Sequence, residues 1–287
     1  MPEDGEIATA CAAYLAAYDE FDGSRQTADA LIAAVEPLAG AGAGAGACGA
    51  AGADGAADGA TAIARDLLKH KDQLAKKTFW MFGGDGWAYD IGFGGLDHVL
   101  STNGNFNVLV VDTEVYSNTG GQSSKATPAG AVAEFAASGK KTAKKDLGAI
   151  LMSYGNVYVA QVAMGADYNQ LVKALKEAEE FDGPAVVIAY APCTSHGLKC
   201  GMRDVQGEMR RAAESGYWPL YRYNPKKEHP MSLDSKEPTS DYLDYLDGEN
   251  RFASLRKSFP EEAARLFAES KEDAERRLAH YRALAEK

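Results

Sequence analysis

The 287-residue chain has few cysteines and no long hydrophobic run. Its four cysteines, Cys11, Cys48, Cys193 and Cys200, are too few for a disulfide-stabilised scaffold and are typical of a reducing compartment. No apolar stretch approaches the roughly 18 residues of a membrane-spanning helix, and the acidic N-terminus lacks the basic residues of a signal peptide. We therefore expect a cytoplasmic protein with no membrane partner.

Basic residues are scarce in the first 60 positions, which hold ten acidic side chains and only Arg25. That segment has a net charge of −9, out of −11 for the whole chain. An acidic balance argues against nucleic acid as the main partner. Because the acidity is confined to one end, it says little about what the nearly neutral remainder binds.

Residues 39–60 consist almost entirely of alanine and glycine and follow an acidic helical segment, residues 1–38. Alternating Ala-Gly buries little surface, and glycine raises the entropic cost of ordering the backbone. We interpret residues 39–60 as a flexible linker. A silk-like β stack is the alternative, but one short copy interrupted by aspartates does not favour it.

Beyond the linker, short apolar runs alternate with helical patterns. This alternation predicts an α/β domain at residues 61–223, with a doubly wound, mostly parallel sheet. Residues 224–287 are predicted to form an arm, extended over 224–240, and then a helix with charges at helical spacing over 261–285. The predicted strands are 78–82, 107–111, 157–162, 184–191 and 218–223, and the other predicted helices are 6–21, 25–38, 61–76, 87–100, 146–154, 168–181 and 203–215.

A candidate phosphate and metal site follows the first predicted strand. In doubly wound sheets, ligands bind at the carboxyl ends of the strands. There the glycines of Gly83-Gly84-Asp85-Gly86 would let the backbone approach a phosphate. A carboxylate repels a diphosphate unless a cation lies between them, so Asp85 indicates a hard divalent ion, most simply Mg²⁺. Residues 112–122, after the next strand, would supply further ligands.

Alternatives exist for this short motif. Taken alone, Gly-Asp-Gly is more simply a turn. A dinucleotide-binding fingerprint is excluded because Tyr89 stands where the third glycine would be.

Two longer motifs carry a specific resemblance. The run Gly-Gly-Asp-Gly-Trp-Ala-Tyr-Asp-Ile-Gly at 83–92 and the run Asp-Thr-Glu-Val-Tyr-Ser-Asn-Thr-Gly-Gly-Gln-Ser-Ser-Lys-Ala-Thr-Pro at 112–128 closely resemble the C-terminal thiamine-diphosphate domain of pyruvate:ferredoxin (flavodoxin) oxidoreductases. The resemblance covers roughly residues 61–287 and includes the motifs at 144–147, 190–193, 216–220 and 251–252.

The resemblance implies a function for the chain. It would be part of an enzyme that oxidatively decarboxylates pyruvate to acetyl-CoA with thiamine diphosphate. Electrons would pass through [4Fe–4S] clusters to ferredoxin or flavodoxin. The family also suggests a homodimer, in which the arm after Asn224 would act as a clasp.

The resemblance assigns roles to individual residues. Asp85 would bind Mg²⁺ through its carboxylate, Thr113 through its hydroxyl and Val115 through its backbone carbonyl. Asn118 is the implied catalytic residue, reaching toward the thiazolium and the substrate carbonyl. The implied cofactor-binding residues are Gly84, Asp85, Gly86, Trp87, Thr113, Glu114, Val115, Tyr116, Ser117 and Asn118.

Cys193 follows a predicted strand and is open to several interpretations. A lone cysteine is ordinarily a small buried hydrophobe. The spacing Cys193-x-x-His196-x-x-x-Cys200 could suggest zinc, but three ligands do not complete a structural site. The resemblance implies instead that Cys193 is one of the four ligands of a [4Fe–4S] cluster. It assigns no role to Cys200.

Several parts of the family pattern are absent from this sequence. The Cys-x-x-Cys-Gly-Glu and Gly-Cys-Ser segments, which would supply the other cluster ligands, are missing. So are the domain whose glutamate activates the cofactor and the ferredoxin-like electron-exit domain. We therefore expect a fragment, the cofactor-binding part of a longer enzyme, that is inactive by itself.

Two other functions stay open at this point. The chain could be a non-catalytic module that binds Mg²⁺ and thiamine diphosphate. It could also be a subunit of another 2-oxoacid:ferredoxin oxidoreductase, assembled with a separately encoded partner.

Overall fold

A computed structural model describes residues 4–40 and 54–286. The chain divides into two compact units, Met1–Thr78 and Phe79–Lys287. Most of the predicted alanine- and glycine-rich linker lies outside the described residues.

Among its described residues, the first unit contains three α-helices, α1 (Asp4–Ala17), α2 (Phe21–Gly40) and α3 (Asp54–Lys69). Leu31 and Val35 of α2 and Ala64 of α3 are buried together in one small apolar cluster. Because this contact ties α3 to α2, residues 61–78 group with the N-terminal helices, whereas the cofactor domain is predicted to start at residue 61. Helix α3 also begins at Asp54, inside the predicted linker.

The second unit is built on a six-stranded sheet with the spatial order β1-β2-β4-β3-β5-β6. The first four strands in this order are parallel, whereas β5 and β6 are antiparallel to their neighbours. This arrangement confirms the predicted mostly parallel α/β fold. The strands are β1 (Trp80–Gly84), β2 (Asn107–Asp112), β3 (Tyr158–Val162), β4 (Ala185–Tyr190), β5 (Tyr221–Tyr223) and β6 (Met231–Leu233).

Helices cover both faces of this sheet. The helices of the unit are α4 (Phe93–Ser101), α5 (Leu147–Met152), α6 (Tyr168–Glu180), α7 (Val205–Glu214), α8 (Tyr242–Gly248), α9 (Asn250–Ser258) and α10 (Pro260–Ala285). Ala174 of α6 is buried in one cluster with Val187. Leu100 of α4 and Leu151 of α5 are buried with Val186, the preceding residue of β4, in another cluster. Successive strand residues face opposite sides, so the apolar runs of the central strands supply both layers.

The strand register brings the candidate site together. Gly84 pairs with Val111, and Asp112 pairs with Tyr190, so the carboxyl ends of β1, β2 and β4 lie side by side. The loops that start at Asp85 and Thr113 therefore leave the same edge of the sheet, as the sequence predicts for a parallel arrangement.

The structure differs from the prediction in two places near this sheet. The predicted helix 87–100 is a π-helical turn, Gly86–Ile91, followed by α4, with a break at Gly92. Within the predicted extended arm, Met231–Leu233 forms an edge strand of the same sheet and pairs with β5. A strand this short between polar segments gives too little apolar periodicity to be recognised.

The C-terminal helix α10 has one charged face and one apolar face. Its charges follow the predicted helical spacing, whereas Ala263, Leu266, Phe267 and Tyr281 are buried. None of the helices in the described part of the chain is both long enough and apolar enough to cross a membrane.

Candidate cofactor site

Three oxygen atoms meet where β1 and β2 end. Asp85, which is 1% exposed, accepts hydrogen bonds on Oδ1 from the backbone amide of Thr113 (3.0 Å) and from its hydroxyl (2.9 Å). The same hydroxyl lies 3.1 Å from the carbonyl oxygen of Val115. The structure thus brings together the carboxylate, hydroxyl and carbonyl that the family resemblance implies as ligands of one ion.

The negative charge of the buried Asp85 carboxylate is only partly compensated by the groups around it. Burial, together with the nearby Asp112 carboxylate, raises the pKa of Asp85 to about 7 against the opposing effects of Lys144 and the hydrogen bonds from Thr113. Its second oxygen accepts a hydrogen bond from the Ser124 hydroxyl at 3.2 Å. A cation at Asp85 would favour the charged carboxylate, so the electrostatics suit a metal ligand.

The glycines at the end of β1 and after it have different roles. A Cβ atom on Gly84 would meet no atom within 4 Å, so the backbone there is open to a ligand. A Cβ atom on Gly86 would lie 2.3 Å from the Tyr116 ring, and one on Gly92 would lie 2.1 Å from the Trp87 ring. Only glycine therefore lets these two aromatic side chains pack against the turn.

The predicted site residues in the loop after β2 differ in their exposure to solvent. The amide of Tyr116 donates to the carbonyl of Gln122 at 2.9 Å, which closes the loop. Asn118 is exposed on this loop. Glu114 is buried, and its carboxylate pairs with Lys144 and Arg251. Its side chain is therefore paired with cations inside the protein, and Glu114 stays among the predicted cofactor-binding residues.

Cys193 links the loop after β4 to the loop after β2. Its buried Sγ lies 3.4 Å from the Ser117 hydroxyl and 3.3 Å from Nδ1 of His196. Burial raises the pKa of the Cys193 thiol, but hydrogen bonds from His196 and Ser117 outweigh it and lower the pKa to about 6. This thiol is prepared to carry negative charge, which a metal-bound cysteine must do.

The described residues do not form the zinc site that the spacing of Cys193, His196 and Cys200 could suggest. Within residues 4–40 and 54–286, no group of three or more His, Cys, Asp or Glu side chains could hold a metal ion. Cys200 contacts Arg211 instead, with 3.6 Å between Sγ and a guanidinium nitrogen.

Sequence reasoning missed the ion pairs beneath the site. Lys144 binds Asp112 at 2.7 Å and Glu114 at 3.2 Å, and Arg251 binds Glu114 at 2.6 Å. Lys144 and Arg251 both lie in motifs that carry the family resemblance. Asp112 lies 32 residues from Lys144, and Glu114 lies 137 residues from Arg251 along the chain, so spacing alone could not reveal the pairing.

Comparison with known proteins identifies the family of this chain. Residues 33–189 match the model of the C-terminal TPP (thiamine pyrophosphate) binding domain of thiamine pyrophosphate enzymes. The chain is 52% identical over 293 residues to pyruvate:ferredoxin oxidoreductase from Moorella thermoacetica, which covers 99% of this chain and 23% of that protein. It is 51% identical over 289 residues to pyruvate-flavodoxin oxidoreductase from Klebsiella pneumoniae, with the same coverage of 99% and 23%.

A solved structure shows a weaker likeness. It is 2-oxoglutarate:ferredoxin oxidoreductase from Magnetococcus marinus, with 2-oxoglutarate, coenzyme A and succinyl-CoA bound. The match has 26% identity and a TM-score of 0.38, and covers 42% of this chain and 41% of the other.

The chain spans about a quarter of the length of the two curated relatives, 23% of each. The family model covers more than half of the chain, and it includes both the Gly-Asp-Gly turn and the loop after β2. The chain therefore belongs to the thiamine pyrophosphate enzymes and contains their C-terminal TPP-binding domain.

Proposed function

We propose that this chain holds Mg²⁺ and thiamine diphosphate as the C-terminal part of a pyruvate:ferredoxin or pyruvate:flavodoxin oxidoreductase. The observation that carries the proposal is the convergence of Asp85, Thr113 and Val115 oxygens at one edge of the sheet. The names and identities of the curated relatives support the choice of enzyme.

The donor set suits Mg²⁺ in particular. Mg²⁺ prefers oxygen ligands and commonly binds one or two carboxylates together with phosphate oxygens. Asp85 offers one buried carboxylate, Thr113 a hydroxyl and Val115 a carbonyl. The diphosphate of the cofactor would supply the further oxygens, beside the open backbone at Gly84.

The remaining residues would orient the cofactor and the substrate. When bound, thiamine diphosphate supplies the electron sink for decarboxylation of a 2-oxoacid. Trp87, fixed by its packing against Gly92, would line the diphosphate, and the backbone of 113–118 would surround the cofactor. The exposed Asn118 would reach the reacting carbonyl of pyruvate.

The cluster ligation is incomplete in this chain. We propose Cys193 as one ligand of a [4Fe–4S] cluster, because its thiol is buried beside the cofactor loop and has a lowered pKa. Such a cluster needs four thiolates. The others would come from the remainder of the enzyme, which would also contribute to the sites for CoA and for ferredoxin or flavodoxin. A homodimer stays a prediction.

Calorimetry on the purified chain tests the proposed binding. Thiamine diphosphate is titrated into the protein with Mg²⁺ and again with a chelator. We expect heat of binding only with Mg²⁺, and a loss of at least about 100-fold in affinity for Asp85→Asn, a change of roughly 2.7 kcal/mol. Asp97→Asn, on α4 and bonded to Tyr154, is the matched control and should bind like the wild type. Equal affinities for wild type and Asp85→Asn would refute the proposed role of Asp85.

A further inference from the structure

The residue between the two proposed metal ligands has an unusual backbone. Glu114 lies between Thr113 and Val115 and has a φ of 65°, in the left-handed region that a residue with a Cβ atom adopts only when its surroundings enforce it. Its conformation determines how the Thr113 hydroxyl and the Val115 carbonyl are oriented relative to each other. Whatever holds Glu114 therefore shapes the metal-binding loop.

Arg251, in helix α9, holds this residue from one side. One guanidinium nitrogen donates to the Glu114 carboxylate at 2.6 Å, and the other donates to the carbonyl of Thr113 at 3.2 Å. Arg251 is 1% exposed, and its Nε lies 2.5 Å from the Glu249 carboxylate. The planar guanidinium thus fixes both the side chain of Glu114 and the peptide that precedes it.

The other groups of Glu114 are also held. Its amide donates to Asp112 at 3.0 Å, and its carbonyl accepts from the Thr127 hydroxyl at 2.5 Å. Lys144 pairs with the carboxylates of both Asp112 and Glu114, and the Tyr217 hydroxyl donates to Glu114.

A buried ion network of this kind is not explained by stability. Desolvating the charges costs about as much as their attraction returns, and well-packed apolar residues often serve equally well. What the network provides here is geometry, because the amide, the carbonyl and one carboxylate oxygen of the left-handed residue are hydrogen-bonded to buried groups, and its other carboxylate oxygen lies 3.2 Å from the Lys144 ammonium.

We propose that Arg251 is a positioning residue for the cofactor site. Through Glu114, it holds residues 113–115 in the conformation that directs the Thr113 hydroxyl and the Val115 carbonyl toward Asp85. The inference rests on the proposed function for the identity of the ligand, Mg²⁺ with thiamine diphosphate.

The test compares two buried arginines. Arg251→Lys keeps the positive charge and removes the planar set of guanidinium N–H donors. Arg222→Lys does the same in β5, where Arg222 is 7% exposed and pairs with Glu177 and Asp234, each at 2.8 Å. Thermal unfolding, Mg²⁺-dependent thiamine-diphosphate affinity and amide hydrogen exchange at residues 113–115 of the cofactor-free chain are measured for both.

We expect both variants to lose stability, but only Arg251→Lys to bind the cofactor more weakly, by about ten-fold or more. The amides of Thr113, Glu114 and Val115 should exchange faster in that variant and stay protected in Arg222→Lys. Glu114→Gln, which removes the ion pair with little change of shape, should weaken binding in the same direction and decides the question if Arg251→Lys does not fold.

The inference would be overturned if Arg251→Lys and Glu114→Gln kept the wild-type cofactor affinity and the wild-type protection of the 113–115 amides. It would also be overturned if Arg222→Lys lost affinity and amide protection to the same extent as Arg251→Lys. Failure of the wild-type chain to bind thiamine diphosphate would count against the proposed function instead. The exchange comparison would still decide whether Arg251 orders the loop.

Discussion

The Thr113 hydroxyl lies between two oxygens, 2.9 Å from the Asp85 carboxylate and 3.1 Å from the Val115 carbonyl. A hydroxyl has a single proton and can donate to only one of them at a time. The three oxygen atoms are therefore close together, and only the hydroxyl proton of Thr113 lies among them to form a hydrogen bond. A cation among them would replace that hydrogen bond by three attractive contacts, which is why this threonine is the informative residue to change.

Thr113→Val should weaken Mg²⁺-dependent binding of thiamine diphosphate by about ten-fold or more, because valine has the shape of threonine but no ligand oxygen. Calorimetric titration measures the affinity. Thr113→Ser keeps the hydroxyl and is the control, expected within about three-fold of wild type. If the valine variant binds as tightly as the serine variant, Thr113 is not a metal ligand.

The two glycines around Asp85 should respond differently to alanine. In Gly86→Ala the new methyl group would lie 2.3 Å from the Tyr116 ring, so we expect a loss of about 1–3 kcal/mol in the free energy of unfolding. In Gly84→Ala it meets no atom within 4 Å, so stability should change by less than about 1 kcal/mol.

Cofactor binding should separate the same two variants in another way. If the diphosphate lies against the open backbone at Gly84, Gly84→Ala binds thiamine diphosphate more weakly although it is stably folded. Urea unfolding and calorimetry on both variants provide the comparison. Unchanged affinity in Gly84→Ala would place the diphosphate elsewhere.

The sequence predicts the parallel core and the ligand-bearing strand ends because both depend on local patterns. Apolar runs such as Val108–Val110 indicate buried strands, and Asp85 and Thr113 follow such strands directly. The Arg251–Glu114 pair was not predictable, because it joins residues 137 positions apart and depends on the left-handed conformation of Glu114. The strand Met231–Leu233 was missed because its pairing with β5, and not its own three residues, makes it a strand.

Lys140 gives the folded chain a defined dependence on pH. Its ammonium group donates to the carbonyls of Ser124 (2.7 Å) and Thr127 (2.6 Å), beneath the loop that contacts Asp85. Burial lowers the pKa of Lys140 to about 8, whereas in the unfolded chain it is near 10.5. Between these values the unfolded state binds more protons, so the contribution of Lys140 to the free energy of unfolding rises with pH.

Urea unfolding from pH 7 to pH 10.5 measures this contribution as the difference between wild type and Lys140→Gln. We expect the difference to shift in favour of the wild type as the pH rises through about 8. Lys141→Gln, at the exposed neighbour that pairs with Glu262, controls for removal of a lysine charge. Parallel stability profiles for wild type and Lys140→Gln would contradict the lowered pKa.

The purified chain should bind the cofactor but should not oxidise pyruvate. A [4Fe–4S] cluster needs four thiolates, and the described residues contain no group of three or more metal-ligating side chains around Cys193. Electrons released by decarboxylation would then have no iron–sulfur acceptor beside the cofactor.

We therefore expect no acetyl-CoA when the chain is supplied with thiamine diphosphate, Mg²⁺, pyruvate, CoA and oxidised ferredoxin, under conditions in which the 52%-identical relative from Moorella thermoacetica is active. Mg²⁺-dependent binding without turnover would fit a cofactor-holding part of a longer enzyme. Acetyl-CoA formation above that of a heat-denatured sample would show that the chain contains an electron pathway that Cys193 and its neighbours do not provide.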